Sequence, residues 1–159
     1  MKFKSVFLIL FFASIIENLS FADDLQAPAI TTITPKRIDM GIVTEYSFDN
    51  GFIENIHACF LNIRSNDVNW NLFVKALDPN MGHSGPYTKN LSDFSFKVDS
   101  KYAKHGNYEV INTFDKLIAQ GPPSNETKLY MDYKILLAWA RDIPGIYNLR
   151  LLYTITSNS

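Results

Sequence analysis

The sequence predicts an all-β fold, an antiparallel sandwich of seven or eight short strands. Three observations carry that expectation. Apolar residues recur at every second position over long runs, turn chemistry separates nearly all of those runs, and no segment shows a convincing helical stripe. With 159 residues, 47% apolar and 19% charged, the chain has enough apolar surface to offset its conformational entropy and enough length for one ordinary domain. A closed barrel is the competing architecture for the same pattern.

Residues 1–22, MKFKSVFLILFFASIIENLSFA, read as a signal peptide. Lys2 and Lys4 make a positive end, Val6 to Ile16 are apolar apart from Ser14, and Ser20 and Ala22 are small residues at the −3 and −1 positions of a cleavage site. The apolar run falls well short of the roughly 20 residues a spanning helix needs. No cysteine follows it, so a lipid anchor is not expected. The mature chain is expected to begin near Asp23, exported to the periplasm, the cell surface or the medium, with no membrane span after cleavage. Lys2, Lys4 and Glu17 leave with the leader, which makes the remainder slightly more acidic.

The elements then follow in order. Residues 23–35 form a leader whose AITTIT stretch, between Pro28 and Pro35, suits an edge strand or a tether. The sandwich domain is expected over 36–159. Arg37 to Val43 is a plausible first strand broken at Gly41. Ile56 to Ile63 is apolar enough for a central strand, and Asn69 to Leu77 sets Trp70, Leu72, Val74 and Ala76 on one face; Asn66-Asp67 is a turn pair between them. Leu91 to Val98 alternates through Phe94, Phe96 and Val98. Tyr108 to Ile118 suits another strand, though FDKLIA within it could close as a helical turn. Further turn signals lie at Asp49-Asn50-Gly51, Asp78-Pro79-Asn80, Gly82 to Pro86, His105-Gly106-Asn107 and Gly121 to Asn125.

The longest runs close the chain. Residues 128–140 place Leu129, Met131, Tyr133, Ile135, Leu137 and Trp139 on one face, and residues 146–156 place Tyr147, Leu149, Leu151, Tyr153 and Ile155 on one face. The Arg141-Asp142-Ile143-Pro144-Gly145 stretch between them predicts a tight turn, and the two runs together predict a hairpin. In a sandwich, Trp70 and Trp139 would both lie inside.

Trp139-Ala-Arg-Asp-Ile-Pro-Gly-Ile-Tyr147, followed by Leu149, Leu151 and Tyr153-Thr-Ile155, resembles the closing hairpin of exported bacterial Ig-like β-sandwich domains. Asn62-Ile-Arg-Ser-Asn66 followed by Trp70-Asn-Leu72-Phe-Val74 is similar to their central hairpin. The two matches cover about a third of the chain. They imply an Ig-like sandwich resident at the cell surface or in the periplasm, as in adhesins, fimbria subunits and wall-associated proteins. An LPxTG-like sorting signal is lacking, which speaks against wall anchoring.

Chemistry-bearing residues are sparse. A single cysteine excludes an internal disulfide framework and a Cys-based zinc cluster, and a formal charge of −1 offers no electrostatic footprint for nucleic acid. His57, His83 and His105 show no metal-ligand spacing, and His57 reads as a hydrogen-bonded structural histidine in an apolar run. No GxSxG elbow is present; Ser84 sits in a glycine-rich turn. Asp78-Pro-Asn80-Met-Gly82-His-Ser84 places oxygens at three positions of a calcium loop, but Lys89 occupies the position where a bidentate glutamate is needed. Cys59, flanked by Ala58, Phe60 and Leu61, reads as a buried, inert thiol. Asp93, Asp99 and Asp115 read as solvent-facing acids. Asn90-Leu-Ser and Asn125-Glu-Thr match the glycosylation sequon, which matters only in a eukaryotic host.

Tyr46, Tyr87 and Tyr102 stand in polar, turn-rich surroundings and form the candidate contact surface, since a ring with a polar edge suits protein contacts or stacking on sugars. No catalytic, cofactor or metal residues are expected. The function that follows is a non-enzymatic exported module acting by surface contact, of adhesin, appendage or envelope type, toward a protein or glycan partner. A carbohydrate-binding module on the same fold is the alternative, and a small hydrolase or inhibitor a distant third. Residues 24–34 are the candidate strand for self-association by exchange, the simpler outcome being that they pair within their own sandwich.

Overall fold

The computed structural model describes residues 7–12 as backbone, and residues 27–143 and 145–158 with their side chains. Among the described residues thirteen strands follow one another: β1 Phe7–Phe12, β2 Ala29–Thr34, β3 Arg37–Val43, β4 Phe52–Ser65, β5 Asn69–Ala76, β6 Asn80–Ser84, β7 Tyr87–Asn90, β8 Phe94–Asp99, β9 Glu109–Val110, β10 Lys116–Gly121, β11 Ser124–Leu136, β12 Ile146–Tyr147 and β13 Leu151–Asn158. One short helix, α1 Glu45–Asn50, joins β3 to β4, and a single 3₁₀ turn, Leu91–Asp93, precedes β8. The count exceeds the seven or eight expected for two reasons: two expected strands are interrupted, Tyr108 to Ile118 into β9 and the start of β10 and the last run into β12 and β13, and strands also form at β1 within the expected leader and at β6 and β7 around stretches expected to be turns.

The protein is an all-β sandwich. One sheet has the order β2-β4-β11-β8-β9, the facing one β10-β5-β13, and every ladder within both is antiparallel. Between them lies one apolar core, to which β4 gives Leu61 and Ile63, β11 gives Leu129, Met131 and Ile135, β8 gives Phe94 and Phe96, and β5 gives Trp70, Leu72 and Val74. These are the residues the period-two pattern places inward. The AITTIT stretch is an edge strand of its own chain: β2 pairs with β4 from Ala29↔Arg64 to Thr34↔Phe60.

A third, smaller sheet has the order β12-β1-β3. Its middle strand, β1, runs antiparallel to β3 and parallel to β12. Residues 1–6 and 13–22 of the expected leader lie outside the described residues, as do residues 23–26. β6 and β7 form a separate hairpin whose turn needs Gly85 at φ +57°, a conformation glycine adopts without strain.

Both expected hairpins are crossovers instead. β11 is bonded to β4 and β8 in one sheet while β13 is bonded to β5 in the other, and β4 and β5 likewise sit in different sheets. Alternation reports that one face of a strand is covered; it does not report which neighbour takes its backbone hydrogen bonds. After Leu136 the ladder stops, the Arg141 and Asp142 amides donate to the Ala138 carbonyl, and the Ala138 amide donates to the Asp142 carboxylate at 2.8 Å. That turn swings the chain across to the opposite sheet.

It also expels Trp139. The alternation that would carry this indole inward ends with the ladder, so Trp70 is fully buried and Trp139 is 58% exposed. Asp93 is a correction in the opposite sense, since it is buried, whereas Asp99 and Asp115 are exposed. The Asp49-Asn50-Gly51 turn signal marks the C-terminus of α1, with Gly51 in the left-handed conformation at φ +77° and a Thr44–Ser47 capping box at the other end. His57 lies at the surface rather than in an apolar setting: it occupies a β-bulge in β4 at φ +52°, its amide donating to Asp132 Oδ1 at 2.7 Å.

Candidate contact surface

The three candidate tyrosines stand on three different elements. Tyr46, in the first turn of α1, is 74% exposed. Tyr87, on β7, is half-buried; its hydroxyl donates to Asp142 and its ring stands edge-on to Tyr147 at 6.2 Å. Tyr102, in the segment after β8, is also half-buried, packed edge-on against Trp70 at 5.8 Å with Lys101 Nζ 4.9 Å from its centroid. Tyr87 and Tyr102 thus serve the interior, and Tyr46 alone of the three is displayed.

The aromatic side chain missed by pattern reading is Trp139. Its ring stacks on Phe48 at 4.5 Å and 27°, and its Nε1 donates to Asp49 Oδ1 at 3.1 Å. Phe48 is buried, so the indole rests on a fixed platform. Tyr46, Phe48 and Asp49 belong to the same capped helix, so α1 displays Tyr46 and also holds Trp139 of the crossover in place by stacking and by a hydrogen bond.

Beneath the crossover that presents Trp139 lies a buried ionic cluster. Lys89 is only 1% exposed; its ammonium donates to the Leu136 carbonyl at 2.6 Å and to Asp142 Oδ2 at 2.8 Å, and it forms an ion pair with Asp93 Oδ2 at 3.1 Å. Arg141 Nη2 meets Asp93 Oδ1 at 2.9 Å. Burial pushes the Asp142 carboxyl up, but hydrogen bonds from Lys89, Tyr87 and the Ala138 amide outweigh it and hold the group below the ordinary carboxylate range. The same desolvation, reinforced by the Asp142 carboxylate, pushes the Tyr87 phenol upward, so it stays a donor. The cluster ties β7 and the 3₁₀ turn to the crossover. Lys89 and Asp93 are an i,i+4 pair, but sequence spacing gives no sign of Asp142, which joins them only through the crossover.

The remaining polar groups pair locally. His57 Nε2 lies 2.7 Å from Asp99 Oδ2, with the ring 4.8 Å from Tyr130; His83 Nδ1 is 2.7 Å from Thr88 Oγ1, and His105 is 3.5 Å from Glu109. The histidines thus occupy three separate places. Asp78 in the expected calcium loop is taken by Arg150, whose guanidinium approaches to 2.6 Å and draws the carboxyl down, and Asn80 Oδ1 accepts from the Gly82 amide at 2.9 Å. Cys59 is buried and free, its Sγ 3.4 Å from the Tyr133 hydroxyl, and burial pushes the thiol up to about 11. Among the described residues no group of three or more His, Cys, Asp or Glu is arranged to hold a metal ion, and no helix is long and apolar enough to cross a membrane. No protein family and no curated protein matches the chain.

Proposed function

We propose that the protein is an exported, non-enzymatic module of the Ig-like class that works by surface contact, in the manner of an adhesin or of an appendage- or envelope-associated protein. The observation that carries this reading is the α1 segment, where Tyr46 is displayed on a helix capped at both ends and Trp139, from the neighbouring crossover fastened by buried charges, is displayed against it. Large amphipathic rings with little conformational freedom to lose are the side chains that carry binding energy at protein interfaces. The leader sequence supports export, and the distribution of His, Cys, Ser and Asp into separate, locally paired sites supports contact rather than catalysis.

The test is to produce the full chain in an exporting host, locate it by fractionation, and measure adsorption of beads coated with it to envelopes of the producing organism. Replacing Trp139 and Tyr46 with alanine is expected to lower adsorption several-fold with little change in Tm. Equal adsorption, or a product retained in the cytoplasm, would overturn the reading. A carbohydrate-binding module is the second reading, favoured by the indole whose orientation is fixed by Phe48 and Asp49. It is separated from the first by Trp139 emission in a glycan panel.

A further inference from the structure

We propose that the open face of Trp139, with the carboxylates of Glu45 and Asp49 beside it, receives an arginine side chain of a basic protein partner. This rests on the surface-contact reading above and names the chemistry of the partner.

One face of the indole stacks on Phe48 at 4.5 Å and 27°. With the side chain 58% exposed, the other face is left to solvent. Glu45, Phe48 and Asp49 stand at i, i+3 and i+4 along α1, the spacing that puts three side chains on one face of a helix. The face that seats the indole therefore carries two exposed carboxylates with it. Asp49 accepts from Trp139 Nε1 through Oδ1, which leaves Oδ2 as a further acceptor at the edge of the ring. Among the described residues neither Glu45 nor Asp49 is paired with a cation, and the last turn of α1 holds no basic residue.

The protein's own lysines show by contrast what Trp139 lacks. Lys97, Lys101, Lys116 and Lys134 hold their ammonium groups between 4.0 and 5.8 Å from the ring centroids of Tyr108, Tyr102, Phe96 and Phe52. Among the described residues no lysine or arginine takes such a place over Trp139, although an indole attracts a cation more strongly than a phenyl or phenol ring does. Arg141, two residues along the crossover, is engaged instead by Asp93 at 2.9 Å and Asp142 at 3.6 Å. The displayed ring and its two acids thus have a charge without a counterpart in this chain.

The shape of the site selects arginine. A guanidinium is planar, lies flat on an aromatic face and forks two N–H donors toward a carboxylate, which matches a ring with acids at its edge. A second copy of this chain is a poor occupant, because a two-fold contact through this face would set Glu45 and Asp49 against like charges. A neutral glycan would use the ring and leave both carboxylates unanswered.

The experiment uses the full chain and follows Trp139 emission, with Trp70 fully buried and Trp139→Phe supplying the background. The probe is the acetylated and amidated peptide Gly-Arg-Gly-Arg-Gly-Arg-Gly. Two control peptides carry citrulline, the uncharged analogue, or lysine in place of arginine. The arginine peptide is expected to quench Trp139 saturably, with citrulline weaker by roughly tenfold and lysine in between. Binding is expected to weaken as salt rises from about 50 to about 500 mM. Glu45→Gln together with Asp49→Asn keeps an oxygen for the indole N–H, and is expected to lower affinity for the arginine peptide as far as citrulline does, at unchanged Tm. Absence of quenching by the arginine peptide, equal binding of the arginine and citrulline peptides, or a double variant that binds like the wild type would each overturn the proposal. Maltohexaose that quenches Trp139 equally in the wild type and the double variant, where the arginine peptide does not, would put a glycan in its place. Adsorption to envelopes separates this inference from the reading beneath it. Adsorption lost with Trp139→Ala but untouched by the double variant and by salt overturns the arginine partner alone. Adsorption untouched by Trp139→Ala and Tyr46→Ala together overturns both.

Discussion

The phenolic oxygens of Tyr133 and Tyr153 lie 2.5 Å apart inside the sandwich, so that β11 of one sheet and β13 of the other are joined by a hydrogen bond between hydroxyls. Both phenols are pushed well above their ordinary range, by burial first and by their close buried neighbours second. Tyr153→Phe leaves Tyr133 with the weak Cys59 thiol as its remaining partner and is expected to cost about 1–3 kcal/mol, the penalty for stranding a buried hydroxyl. Removing both hydroxyls together is expected to cost less than the two single changes added. Urea unfolding of the four forms measures this; strict additivity would show that the hydroxyls are not coupled.

The same pair sets an alkaline limit. A phenol whose pKa is raised by folding contributes its stability fully below the unfolded value of about 10, and loses it as pH rises toward the folded value. The protein is therefore expected to lose stability above about pH 10, with tyrosinate absorbance from these two rings appearing only as the fold opens. A spectrophotometric titration that ionises every tyrosine at constant ellipticity would contradict the buried contact.

Lys89 and Asp142 make the most exacting interaction in the molecule. Asp142→Ala leaves the buried ammonium with the Leu136 carbonyl and with Asp93 as its remaining carboxylate, and is expected to destabilise by about 3–5 kcal/mol at pH 7. Lys89→Met leaves two buried carboxylates, Asp93 and Asp142, with Arg141 as their neighbouring cation. In Lys89→Met the Asp142 carboxyl has lost the ammonium that helps hold it low and takes up a proton more readily on acidification, so the deficit of this variant is expected to shrink as pH falls from 7, while Asp142→Ala shows no such recovery. The wild type runs the other way: the depressed Asp142 carboxyl contributes above its unfolded value near 3.8 and loses that contribution as pH falls below it. Chemical denaturation at three pH values distinguishes the three behaviours.

The inward faces of β5, β8, β11 and β13 were legible in the sequence because burial of one face imposes a period of two, and nothing but chain geometry is needed to read it. Trp139 was not legible, since its exposure depends on where the β11 ladder stops, and that is decided by Asp142 reaching back to the Ala138 amide. The Lys89 cluster was hidden for a related reason: Lys89 and Asp93 are an i,i+4 pair that reads like any solvated lysine and aspartate, and the Asp142 that helps bury them arrives only at the crossover. Tyr87 and Tyr102 misled because polar neighbours in sequence say nothing of the Asp142 and Trp70 that receive them in space. The α1 helix, six residues long, has too few turns to show a stripe.

Gly121 has no Cβ because Trp70 occupies the place. A methyl group there would meet the indole Cζ2 at 2.5 Å and Cε2 at 2.7 Å, while the same indole donates from Nε1 to the Pro122 carbonyl at 3.0 Å. Gly121→Ala must move a fully buried ring and loosen that hydrogen bond, at an expected cost of about 1–3 kcal/mol. Near-UV circular dichroism from Trp70 is expected to weaken along with the fall in Tm. An unchanged spectrum would mean that the β10 end is free to give way.

Cys59 offers a direct reading of how the core opens. Its thiol is buried between β2 and β11 on β4 and pushed up to about 11, the desolvation of the thiolate being only partly offset by the Tyr133 hydroxyl. At pH 8 a thiol in this state is almost wholly protonated and out of reach of a bulky disulfide reagent. Labelling of the native protein is therefore expected to proceed only through opening of the β4–β11 ladder, slowly and without dependence on reagent concentration once the reagent is in excess, whereas the chain in urea reacts at once and in full. Tyr153→Phe, which loosens the same interior, is expected to speed native labelling by as much as it raises the rate of opening. Immediate stoichiometric labelling of the folded protein would place the thiol at the surface and remove Cys59 from the core.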